Sequence, residues 1–162
     1  MATIKKSSKA KSNRVLPLQK SETVSNGRPK ALICGMLEIG GKVLFLSKKG
    51  KDGKEVLEMP FVMGSTSADL HSQLAEAFKK QTGIKAHPVH QVMEGKHNIG
   101  TSKKTDFIPV LVFEMMPDEP RVKPDPGKGY TGFFWLKMID AEGKALSENA
   151  GWLLEEPLMI DD

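Results

Sequence analysis

Residues 59–84 decide the fold: Met59-Pro60-Phe61-Val62-Met63-Gly64-Ser65-Thr66-Ser67-Ala68-Asp69-Leu70-His71-Ser72-Gln73-Leu74-Ala75-Glu76-Ala77-Phe78-Lys79-Lys80-Gln81-Thr82-Gly83-Ile84. Leu70, Leu74, Ala77 and Phe78 fall at i, i+4, i+7 and i+8, so one apolar stripe runs down a helix over residues 68–82. Ser65, Thr66 and Ser67 are N-cap candidates, and Asp69 suits the first turn. Lys79 and Lys80 suit the negative end of the helix, and Gly83 is a natural stop. Upstream, Glu55 to Pro60 is a short extended piece that proline ends.

The flanks read as strands. Ala31 to Ile39 and Lys42 to Ser47 are apolar runs joined by a Gly40-Gly41 turn, which predicts an antiparallel hairpin. The loop Lys48-Lys49-Gly50-Lys51-Asp52-Gly53-Lys54 reads as a solvated hairpin tip, with a phosphate contact as the alternative. Ala86 to Glu94 is a strand, and residues 95–104 form a polar basic loop. The nearly continuous apolar run from Phe107 to Met115 predicts a strand buried on both faces. A proline-rich loop covers 117–126, Phe133 to Leu136 is a further strand, and Ser147 to Glu155 is a short helix with Ser147 as its cap.

The order of these elements resembles the Nudix hydrolase family over residues 31–155. The family's box is G-x5-E-x7-R-E-U-x-E-E-x-G-U, with U aliphatic, usually preceded by Leu-Pro-Gly. Met59-Pro60 matches the Leu-Pro, while Phe78, Gly83 and Ile84 match the closing aliphatic and glycine positions. Thr82 is a common residue before that glycine, and the frame fits residues 62–84 without a gap. Phe134-Trp135 looks like the aromatic strand before the family's C-terminal helix. The resemblance implies an α/β fold, a Nudix-like α/β/α sandwich with a mixed β-sheet.

The acidic positions of the box depart from the pattern. Its first glycine is Val62, its early glutamate Ala68, its R-E pair Glu76-Ala77, and its two adjacent glutamates Lys80 and Gln81. In the family those glutamates bind divalent metal and position the water that attacks a diphosphate, a charged group that needs neutralisation. Mg²⁺ takes hard oxygen ligands, mainly carboxylates. The resemblance therefore implies no metal site, no cofactor, no catalytic residue and no ordinary metal-dependent hydrolysis. It points instead to a binding or assembly module for nucleotide phosphate, RNA or a nucleic-acid-containing complex. Its ligand contacts would be Lys80, Gln81, Lys103, Lys104, Arg121 and Lys123. Two alternatives stay open. One is hydrolysis through carboxylates outside the pattern, Glu55, Glu58, Glu76 or Glu94. The other is a structural subunit with no ligand.

Charge divides the 162 residues, whose formal net charge is +4. Residues 1–30 hold eight basic side chains against Glu22 alone. Their only apolar cluster is Val15-Leu16-Pro17-Leu18, too little to offset ordering, so the arm is expected to be disordered alone. It would contact nucleic acid or an acidic protein surface, or simply keep the chain soluble. Residues 31–156 read as the domain and 157–162 as an acidic tail. A single cysteine, Cys34, excludes an internal disulfide and a cysteine-cluster zinc site. His71, His87, His90 and His97 lack metal spacing. No run is apolar enough for a membrane helix and no secretory segment is seen, so a reducing, cytoplasmic compartment is expected.

Overall fold

The structure is a computed structural model that describes residues 31–64, 69–155 and 157–160. The basic arm, the cap candidates Ser65, Thr66 and Ser67, and the box position Ala68 lie outside the described residues.

Two sheets share the strands. The five-stranded sheet runs β5 (Phe61–Gly64), β1 (Ala31–Met36), β7 (Phe107–Pro117), β6 (Ala86–Asn98), β9 (Leu158–Met159). It is mixed, because β1 pairs with β7 in parallel and with β5 antiparallel. The four-stranded sheet is built on β3 (Lys42–Lys49), which pairs with β2 (Glu38–Ile39), β4 (Glu55–Glu58) and β8 (Gly132–Leu136). The expected single strand from Ala31 to Ile39 is thus broken at Leu37 and divided between the sheets. The cause is burial: Ala31 to Leu37 are enclosed, whereas Glu38 and Ile39 are exposed and only reach β3. Gly40 and Gly41 make the turn at φ 62° and 81°, a region that disfavours side chains.

Alternate side chains of β1 serve two cores. Ile33 joins Leu74 and Phe78 of α1 (Leu70–Thr82), with Phe113 and Met115 of β7. Leu32, Cys34 and Met36 join Phe45, Val110, Val112, Trp152 and Leu153. The five-stranded sheet therefore lies between α1 and a layer holding α2 (Met138–Ala141) and a 3₁₀ helix at Glu148–Leu154. This is the α/β/α arrangement with a mixed sheet. The run on β7 is covered on both faces from Leu111 to Met115, but Phe107 and Pro109 are exposed.

Three elements differ from expectation. β6 continues through Gly95, Lys96, His97 and Asn98, which pair with Val110 to Phe107, so the loop after it is shorter. The C-terminal helix is 3₁₀, and Ser147 forms no side-chain cap bond because its hydroxyl is engaged elsewhere. Leu158 and Met159, in the segment read as a tail, pair with Glu94 and Met93. Among the described residues no helix is long and apolar enough to cross a membrane.

His97 carries a stability prediction. It is 8% exposed, and burial pushes its imidazole below the ordinary value of 6.5, against a smaller opposing pull from Glu148. The folded state disfavours the proton that the unfolded state accepts. Stability is therefore full above the unfolded value and falls as pH drops below about 6.5. Urea midpoints at pH 7.5 and pH 5 should differ, and His97→Gln should narrow that difference.

Candidate functional site

The box helix ends in a closed set of backbone bonds. Gly83 adopts φ 76° and its N–H donates to the Lys79 carbonyl at 2.8 Å. The segment 118–127 crosses this end. Asp118 N–H donates to Lys85 O at 2.9 Å, Asp125 N–H to Thr82 O at 2.7 Å, and Gly127 N–H to Gln81 O at 2.9 Å. A Cβ on Gly127 would lie 2.4 Å from the Lys80 carbonyl oxygen, so only glycine lets the loop approach this closely. The carbonyls of Lys79, Gln81 and Thr82 thereby find backbone donors.

Gln81 is half-buried and spent. Its Oε1 accepts the Phe61 N–H at 3.0 Å, and its Nε2 donates to the Phe61 carbonyl at 2.6 Å. That amide clips α1 to β5. A glutamate here would turn an acceptor oxygen toward the Phe61 carbonyl, an arrangement that needs a proton or a cation between them. The amide supplies the hydrogen itself. Ala77 offers no ligand, and Lys80 is an exposed cation on the same helix. The described part of the box therefore does not fit a divalent metal. Among the described residues no group of three His, Cys, Asp or Glu is disposed to hold one.

The fold separates the expected ligand contacts. Lys80, Arg121 and Lys123 belong to the end of α1 and the loop tied to it, and all three are exposed. Lys103 and Lys104 lie beyond Asn98 at the tip of the β6–β7 ribbon, whose other end is Ala86 beside Pro117. A strand of 13 residues spans about 40 Å at ~3.3 Å per residue, so the two groups sit at opposite ends of that ribbon. Of the four candidate carboxylates, Glu76 and Glu94 are exposed on α1 and β6. Glu55 is exposed and accepts from Thr131 Oγ1 at 2.9 Å. Glu58 lies three residues on along β4 and so faces the other way.

Glu58 is the buried charge, 1% exposed. Tyr130 donates its hydroxyl to Oε2 at 2.6 Å and Ser147 donates to Oε1 at 2.7 Å. Lys48 Nζ lies 3.0 Å from the same Oε1. Burial is affordable only because the carboxylate is paired and bonded. Its neighbours register it: burial, then the hydrogen bond to Glu58, pushes the Tyr130 hydroxyl far up, and burial followed by the Glu58 charge pushes the Cys34 thiol far up. Both stay protonated, so Cys34 is an inert core thiol.

Above Glu58 opens a cleft of about 580 Å³. Lys48, Lys49, Lys51 and Asp52 line one wall, and Ser147, Glu148 and Asn149 belong to the other. Lys51 reaches Glu148 at 3.7 Å, an exposed contact of little energy. The loop read as a solvated tip is therefore partly a wall, with the Lys48 side chain only 32% exposed and anchored by Glu58. The sequence signal was the pairing of a lysine-rich loop with a glutamate just before Met59-Pro60, and it gains meaning only when β3 and β4 are seen side by side.

No protein-family model matches the chain, and no curated protein matches it in sequence. Solved structures do. The E. coli ORF135 protein matches at 13% identity with a TM-score of 0.58, covering 76% of this chain and 85% of its own. An ADP-ribose pyrophosphatase from Streptococcus suis matches at 11% identity and TM-score 0.55, covering 79% and 87%. The NUDIX domain of Shewanella oneidensis NrtR, solved with ADP ribose, matches at 11% and 0.54, covering 80% and 86%. Together with the mixed sheet and flanking helices described above, these likenesses show that the chain has a Nudix-like fold.

Proposed function

We propose that this domain binds the phosphates of a nucleotide-type ligand and does not hydrolyse them by the metal-dependent route. One observation carries the reading: at the box's adjacent glutamate positions stand Lys80, exposed, and Gln81, whose amide is committed to both polar groups of the Phe61 backbone. A cation and a spent amide hold no Mg²⁺, but a cation attracts phosphate. Lys48, Lys49 and Lys51, with Asp52 and Glu148 beside them, line a separate cleft that offers a second surface for phosphate. The structural neighbours include a domain solved with ADP ribose, so a nucleoside diphosphate is the first ligand to try. Glu58 does not serve as an acid or base in this reading, since three donors already occupy it. The basic arm, residues 1–30, would carry the domain to nucleic acid or to a protein complex.

The test is a titration of ADP-ribose, ADP and inorganic pyrophosphate against the full chain and its charge reversals. Lys49→Glu and Lys80→Glu should each weaken binding about tenfold, the ~1.5 kcal/mol of one charged hydrogen bond. Unchanged affinity in Lys80→Glu would remove Lys80 from the site, and no binding of any of the three to the parent chain would favour a purely structural subunit.

A further inference from the structure

Exposed cations gather where the segment 118–127 crosses the end of α1. Lys79 and Lys80 stand on the last turn of the helix, and Lys85 follows it. Arg121 and Lys123 lie on the segment, and Lys128 comes just beyond it. They are far apart in sequence. The bonds from Asp118, Asp125 and Gly127 to Lys85, Thr82 and Gln81 bring them to one face. Four carboxylates share the area: Glu76, one turn before Lys80, and Asp118, Glu119 and Asp125 on the segment. Asp118 is held by His87, whose Nδ1 lies 2.7 Å from its Oδ1. Among the described residues none of these lysines, nor Arg121, forms an ion pair. The surplus on this face is positive, and its cations are not spent inside the protein.

The segment sets their spacing. Exposure alternates along it, with Arg121, Lys123 and Asp125 outward and Val122, Pro124 and Pro126 half-buried. Val122 packs against the core that seats α1. Each proline favours an extended backbone at the residue before it, here Lys123 and Asp125. Alternate side chains of an extended chain stand about 6.6 Å apart, at ~3.3 Å per residue. One nucleic-acid strand carries a phosphate every ~3.4 Å of rise. Arg121 and Lys123 are thus spaced to meet phosphates of a single strand, and Lys128 follows Gly127, which abuts the Lys80 carbonyl. A diphosphate is too short to touch both ends of such a row. The negative pole of α1 does not stand in the way, because the carbonyls of Lys79, Gln81 and Thr82 each accept a backbone N–H.

We propose that this face binds the sugar-phosphate backbone of a single-stranded nucleic acid through Lys80, Arg121, Lys123 and Lys128. The proposal rests on the phosphate-binding reading of Lys80 and extends it from a nucleotide to a chain. Ammonium and guanidinium groups hold phosphates without reading base order, so the binding is independent of sequence. It is also salt-dependent, since each neutralised phosphate releases counterions.

The full chain is titrated with oligouridylate and oligoadenylate of equal length over a series of salt concentrations. For single strands, each lost phosphate contact lowers the slope of log K against log salt by about 0.7. Arg121→Gln with Lys123→Gln should lower it by about 1.4 and weaken both oligonucleotides alike, with an unchanged urea midpoint. Lys137→Gln with Lys144→Gln removes the same charge from exposed positions around α2, across the sheet, and should leave the slope as it is. An unchanged slope in the Arg121 and Lys123 double variant would overturn the proposal and leave any binding to residues 1–30. Equal affinity for poly-glutamate would also overturn it, by assigning the face to an acidic protein. ADP-ribose, titrated in parallel, separates the two readings. Binding of ADP-ribose without binding of either oligonucleotide overturns the nucleic-acid proposal alone. The expected slope change without binding of ADP-ribose supports it and overturns the nucleotide reading alone.

Discussion

Glu58→Ala should lower stability by about 3 kcal/mol, read as a fall in the urea midpoint without a change in slope. The substitution removes the acceptor for Tyr130 and Ser147 and the anion beside Lys48 at once. Breaking a buried ion pair costs about 3–5 kcal/mol, because the surviving charge is stranded. The lower end applies here, since the Lys48 side chain is 32% exposed and can regain water. Glu58→Gln keeps the shape and one acceptor and should cost about half as much. A loss under 1 kcal/mol in Glu58→Ala would mean that the network is not formed in solution.

Phe78→Ala should cost about 3–5 kcal/mol, the usual range for deleting a buried aromatic ring. Phe78 is fully buried in the core that joins α1 to the sheet. β1 gives up a side chain to seat it, for a Cβ on Gly35 would lie 2.8 Å from the ring. The helix end that presents Lys80 and clips β5 through Gln81 depends on that seat. Thermal unfolding of Phe78→Ala and Phe78→Leu should show the first far below the second, because leucine fills most of the space.

Much of this architecture is legible in residues 59–84. The stripe of Leu74 and Phe78, the Gly83 stop and the Phe134-Trp135 strand reach their positions because each rests on local periodicity or a backbone requirement. Elements without such signals are invisible in advance. α2 has four residues and no period, and β6 continues through polar Lys96 and Asn98 because β7 supplies a partner for each. The site is harder still. Nothing in Glu55-Val56-Leu57-Glu58 distinguishes the exposed glutamate from the enclosed one, since Tyr130 and Ser147 arrive from 72 and 89 residues away. The box substitutions, by contrast, are readable in sequence, and the geometry adds what Gln81 does with its amide.

The most direct measurement incubates the full chain with ADP-ribose in Mg²⁺, in Mn²⁺ and in EDTA, recording binding by calorimetry and products by chromatography. The expected result is the same affinity in all three buffers and no release of AMP. Metal-dependent release of AMP, or binding that vanishes in EDTA, would contradict the proposed metal-independent binding of phosphate.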